Sequence, residues 1–141
     1  MTDVGGTESR RPAPLSIRLP AVPASLVVVR DRLRSWLPTA AVNAAAAADV
    51  LLAVGEAASN AVEHSVLGAT RNVILEVTAR ATDTGLALTI KDNGRWHAPP
   101  PPSSRNHRGH GNRLMKALVD TVTITPSPQG TTVEMRKELR P

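Results

Sequence analysis

The stretch Asp49 to His64 constrains the fold more than any other part of the chain. Its apolar residues Val50, Leu51, Val54, Ala57, Ala58, Ala61 and Val62 recur at intervals of three and four, which predicts a helix packed along one side. Beside that stripe Glu56, Asn60 and His64 stand at i, i+4 and i+8, so a carboxylate, a carboxamide and an imidazole share one line bordering the core. Two readings of the line are open. It is either a solvated polar face or a ligand site. Asn is a poor mid-helix residue, because its side chain competes for backbone hydrogen bonds, and here it lies among small apolar neighbours. Carboxylate and amide oxygens together also form a hard donor set, suited to a magnesium ion that keeps several waters and takes further ligands from phosphate.

A chain of 141 residues and 14.9 kDa fits one domain with one core. Phe and Tyr are absent and the only aromatic residues are Trp36 and Trp96, so the core has to be aliphatic. With no cysteine, disulfides and thiolate metal sites are excluded. No uninterrupted run of about 18 apolar residues is present to span a bilayer, and the N-terminus lacks an apolar signal region. The expectation is a cytoplasmic protein with no membrane partner. The net charge of +5 permits an anionic partner. Yet the basic residues are scattered, stacking aromatics are almost missing, and no zinc-finger or ribonucleoprotein pattern appears, which argues against direct nucleic-acid binding.

Along the chain, residues 1–13 are polar and rich in Gly and Arg, which predicts a disordered tail before a domain over 14–141. Leu15, Ile17 and Leu19 alternate as a short strand closed by Pro20. Leu26, Val29, Leu33 and Trp36 repeat at helical spacing between Pro23 and Pro38. The alanine run 44–48 leads into the central helix, which is expected to end near Gly68. Val73, Leu75 and Val77, a turn at 82–85, and Leu86, Leu88 and Ile90 predict a hairpin with one buried face. A loop of about twenty residues follows from Asn93, a length typical of lids or linkers. A short helix with Leu114, Met115 and Leu118 inward comes next, then strands near 121–125 and 131–139 separated by a turn over 126–130. The expected architecture is an α+β two-layer sandwich, a mixed β-sheet covered on one face by three helices.

Three further clusters accompany the central helix. Asp92-Asn93-Gly94 ends a strand, presenting a carboxylate beside a glycine that admits a flat ligand to the backbone. Gly109-His110-Gly111 precedes a helix, whose free N–H groups and dipole favour phosphate. Gly130-Thr131-Thr132 opens the last strand with hydroxyls. Singly, each is also an ordinary turn, loop or strand start.

In this order and at these spacings the four segments resemble the N, G1, G2 and G3 boxes of the GHKL (Bergerat-fold) ATPase superfamily. More narrowly, Glu56-Ala-Ala-Ser-Asn60-Ala-Val-Glu-His64 with Gly130-Thr-Thr-Val-Glu-Met135 resembles the anti-sigma factor serine/threonine kinases of bacterial partner-switching systems. The resemblance covers roughly residues 15–140 and implies a histidine-kinase-like ATP-binding domain with a long ATP lid. It implies Asn60 as the magnesium ligand, Glu56 as general base toward the acceptor hydroxyl, and Asp92 as the partner of the adenine amino group. Gly94 would admit the adenine, Gly109 and Gly111 would belong to the lid, Thr132 would join the adenine network, and His64 would lie near the phosphates. One departure is Trp96, where the family usually has a second glycine, followed by the stiff run Pro99–Pro102; these would narrow the nucleotide cleft or make the lid less mobile, weakening ATP binding.

The resemblance further implies ATP and magnesium as cofactors, and a sigma factor and an anti-sigma factor antagonist as partners, the antagonist phosphorylated on Ser or Thr. It also implies a homodimer, for which the first strand and first helix, each apolar on one side, are candidate elements. Phosphoryl transfer asks a protein mainly to position groups and neutralise charge, which a chain this small can do. The other reading is a non-catalytic module that sequesters a regulator, with nucleotide as a conformational ligand or with none. Glu56 separates the two, since a pure binder has no need of a base.

Overall fold

The computed structural model describes residues 11–68, 72–94 and 112–139, with residues 64–68 described by their backbone alone. Strand β1 (Leu15–Pro20) leads through helix α1 (Pro23–Trp36) and a 3-10 turn (Leu37–Ala40) into the long helix α2 (Ala44–Gly68). The hairpin of β2 (Ile74–Ala81) and β3 (Gly85–Asp92) follows, then helix α3 over residues 112–118, β4 (Thr121–Ser127) and β5 (Gly130–Glu138).

The boundaries have local causes. Pro23 occupies the first turn of α1, where its missing N–H costs nothing. Ala41 adopts a left-handed conformation (φ 59°) that turns the chain between the helices, and the Val42 amide closes the corner on the Leu37 carbonyl. The Asn43 side-chain oxygen then accepts the Ala46 amide at 2.8 Å, satisfying one of the orphan donors at the start of α2.

Among the described residues the sheet has five strands in the order β1-β2-β3-β5-β4. The α+β two-layer architecture is as expected, but the sheet is antiparallel throughout where a mixed one was anticipated. The reason lies in β4 and β5. They form a hairpin whose second strand enters beside β3, so every neighbour reverses direction. The five-residue turn expected over 126–130 is also shorter, because Pro126 and Ser127 extend β4 and only residues 128–129 turn. An edge strand tolerates Pro126. The Ser127 hydroxyl donates to the Gly130 carbonyl at 3.0 Å and accepts the Gln129 amide at 3.2 Å.

Alternation along the strands puts Leu75, Val77, Ala79, Leu86, Leu88, Ile90, Val133 and Met135 on one buried face. Against it lies the α2 stripe Val50, Ala53, Val54, Ala57, Ala58 and Ala61, joined by Val29 and Leu33 of α1 and Met115 of α3. Each buried Leu, Ile or Val contributes about 1.5–3 kcal/mol by its removal from water. By length and composition alone, Ala44–Glu63 (20 residues, mean hydropathy 1.3) is apolar enough to cross a membrane, although Asp49 and Glu56 interrupt its apolar run. Its stripe packs on the sheet instead, as a core helix does.

Residues 1–10 of the expected tail lie outside the described residues. Those that follow are tied to the domain: Arg11 pairs with Asp83, and the Trp36 indole donates to the Ala13 carbonyl at 2.8 Å. Beyond Gly94, the loop expected to form a lid also lies outside the described residues.

Candidate functional site

Lys137 ties the start of α2 to the sheet. Its ammonium donates to Asp49 Oδ2 at 3.2 Å and to the Leu118 carbonyl at 2.8 Å, which fixes the start of α2 and the end of α3 above the end of β5. Lys137 pairs with Leu86, near the start of β3, and α2 packs along β3 from there. Asn60 lies eleven residues past Asp49, about 16 Å along a helix. Asp92 lies six residues past Leu86, about 20 Å along a strand. The two polar groups are therefore carried toward the same end of the sandwich.

At that end Asp92 pairs with Leu75 on one side and Thr131 on the other, and shares the core-facing side of the sheet with Ile90 and Leu88. It is 5% exposed, and its Oδ1 accepts the Gly94 amide at 3.0 Å. Asn93 is turned the other way: its Oδ1 accepts the Ile74 amide at 2.7 Å and fastens the strand end to β2. Asp-Asn-Gly is thus a strand terminus that presents the aspartate rather than a hairpin turn. Two glycines make room around it. A Cβ on Gly94 would lie 3.3 Å from Asp92 Oδ1 and 3.4 Å from Val73 Cγ1. Gly130 has φ 145°, and a Cβ there would collide with the Asp92 carbonyl oxygen.

The threonine beside Asp92 is Thr131, not Thr132. Thr131 is 7% exposed and lies on the core side with Val133 and Met135, in register with Asp92. Thr132 is half-buried on the opposite face, across from Lys91, and cannot join a network centred on Asp92. A period of two decides this, since a slip of one residue changes the face. Gly130 and Thr131 belong to the cluster that the sequence singles out, but the expected role fell on Thr132, although the inward pattern of Val133 and Met135 contains the signal for Thr131.

On α2, Glu56 and Asn60 are half-buried one turn apart, flanked by the buried Ala57, Ala58 and Ala61. His64 continues the same line on the helix, but its side chain lies outside the description, as do Gly109, Gly111 and Trp96 entirely. The donor set suits the implied groups. Glu56 and Asn60 supply hard oxygens, and among the described residues no trio of His, Asp or Glu forms a closed cage. A magnesium ion at Asn60 would complete its shell from water and phosphate. Asp92 and Thr131 place a carboxylate and a hydroxyl side by side next to Gly94, where a Cβ would crowd both Asp92 and Val73, a pairing whose chemistry suits a ring bearing an amino group.

A buried acid and hydroxyl beside two glycines, at the end of an antiparallel sheet faced by a helix carrying Glu and Asn, define a small α+β domain with one polar end. Residues 19–137 match the model of the histidine kinase-like ATPase domain family. An anti-sigma F factor from Pasteuria penetrans is 30% identical over 102 residues, covering 65% of this chain and 68% of that protein. A solved structure of the RsbU and RsbW domains of a Mycobacterium tuberculosis protein superposes with a TM-score of 0.72 at 28% identity over 92% of this chain. The present chain spans 34% of the length of that one. The chain belongs to the histidine kinase-like ATPase domain family, among its anti-sigma kinase members.

Proposed function

We propose that the protein is an ATP-dependent anti-sigma factor that sequesters a sigma factor and phosphorylates a Ser or Thr of an anti-sigma factor antagonist. What supports this reading is the grouping of Asp92, Gly94, Gly130 and Thr131 at one strand end, together with Glu56 and Asn60 one turn apart on the helix that packs against β3. In this reading Asp92 and Thr131 hold the adenine edge, Gly94 admits the ring, and Asn60 holds magnesium. Gly109 and Gly111 would belong to the segment over the phosphates, and His64 would serve near them. Bound Mg-ATP supplies the transferable phosphoryl group and the charge neutralisation that loose phosphoryl transfer requires. Glu56 orients the acceptor hydroxyl and takes its proton at a carboxylate oxygen. The buried alanines beside Glu56 keep water from that side. A cytoplasmic homodimer is the assembly this reading expects.

The second reading, a sequestering module without transferase activity, is favoured by the apolar groove beside Glu56 described below. One substitution separates the two. With labelled ATP, magnesium and candidate antagonist proteins, Glu56→Gln should lower phosphotransfer by about 10²- to 10⁴-fold while ATP and partner affinity persist. Unchanged transfer in Glu56→Gln refutes the assigned base. A wild-type protein that holds an antagonist and transfers nothing supports the module.

A further inference from the structure

A groove of about 710 Å³ runs between α1 and α2 and reaches Leu114 of α3. The short link through Leu37–Ala40 makes α1 and α2 a helical hairpin, so Arg34 lies toward its closed end. Glu56, about 18 Å along α2, lies toward the open end. Between them the lining is apolar and open to solvent: Leu52 is 57% exposed, Val27 49% and Leu114 41%. These side chains stand beside the buried residues Ala53, Val29 and Met115 of the same helices but outside the core.

Gly55 is the second observation. It lies in the middle of α2, where glycine costs about 1 kcal/mol relative to alanine, and a Cβ placed on it would meet nothing within 4 Å. No neighbour in the fold demands a glycine there. What it does is keep the groove open down to the helix backbone, immediately beside Glu56. The third observation is charge. Arg30 and Arg34 line the α1 wall of the groove, where the nearby Asp31 holds Arg34 only in an exposed and weak 3.3 Å pair, and Glu56, the one acid in the lining among the described residues, stands apart toward the open end.

We infer that this groove receives an amphipathic helix of a partner protein, its apolar residues over Val27, Leu52 and Leu114, its carboxylates over Arg30 and Arg34, and a close backbone approach at Gly55. Helix-in-groove docking joins an apolar face to a hydrophobic channel in this way, and the arginines fix the direction of the occupant. The partner's being a protein rests on the functional reading above, whereas the groove, the glycine and the charges do not.

The test uses the whole chain and a phage-displayed library of random peptides as probe. Peptides enriched on the wild-type protein should carry Asp or Glu together with apolar residues at helical spacing, and should gain helicity on binding. Gly55→Ala, whose methyl enters the space of the close approach, should bind them at least about threefold more weakly and melt no lower. Gly55→Trp, which fills the channel, and Leu52→Arg, which charges it at an exposed position, should each weaken binding at least about tenfold. If Gly55→Trp does not fold, Leu52→Arg alone decides. No enrichment, enrichment of basic peptides, or binding that both variants leave intact overturns the inference. A wild-type dimer dissociated by Leu52→Arg in sedimentation overturns it as well, because a second copy of the chain would then cover this face. Mg-ATP affinity measured on the same samples keeps the two readings apart: peptide failure with ATP binding intact defeats the groove alone, and peptide success without ATP binding defeats the kinase alone.

Discussion

Thr131 and Thr132 differ by one position and by the face of the sheet they occupy. Only the first can share a hydrogen-bond network with Asp92. Thr131→Val should therefore weaken Mg-ATP binding about tenfold, the scale of one hydrogen bond left unmade in a desolvated site. Thr132→Val should change it by no more than about twofold. Calorimetry on both variants checks the pair, and the reverse order would return the role to Thr132. Glycines divide in a similar way. Gly130→Ala meets both a disfavoured φ of 145° and the Asp92 carbonyl, and should cost about 2 kcal/mol or more of stability in thermal melts. Gly55→Ala meets open space and should stabilise by up to about 1 kcal/mol. Two glycines of one chain thus respond with opposite signs, because one serves the fold and the other does not.

At the scale of elements, local patterns were readable and pairings were not. The apolar period of α2, the prolines bracketing α1 and the alternation of β2 and β3 all lie within a few residues of one another, and the structure follows them closely. Whether a strand has parallel or antiparallel neighbours depends on groups far apart in the chain. The antiparallel β3–β5 pairing joins Asp92 to Thr131, and nothing in either segment names the other. The Lys137 link to Asp49 and Leu118 was equally hidden, since a lysine late in a strand reads as ordinary surface charge. It is only 17% exposed and closes two helix ends at once. Lys137→Met keeps the stem and removes the donors, and should lower stability by about 1–2 kcal/mol. A lower urea midpoint at unchanged slope would show that. An unchanged midpoint would mean that α2 takes its direction from core packing alone.

For the whole molecule, the fold holds one long helix at both ends of a job. Its start is fastened by Lys137, its middle buries an alanine stripe on the sheet, and its polar line is delivered to the strand ends that carry Asp92 and Thr131. A domain of this size can bind and position a nucleotide without further machinery, because the chemistry asks for placement more than for covalent participation. The most direct measurement is calorimetric titration of Mg-ATP into the wild-type protein and into Asp92→Asn. The substituted amide can still accept from the Gly94 amide, but it presents a donor where the adenine amino group needs an acceptor. The wild type should bind, and Asp92→Asn, checked to be folded, should bind at least about tenfold more weakly. Folded wild-type protein that gives no binding heat in excess magnesium and ATP, or equal affinity in the two proteins, would contradict this expectation.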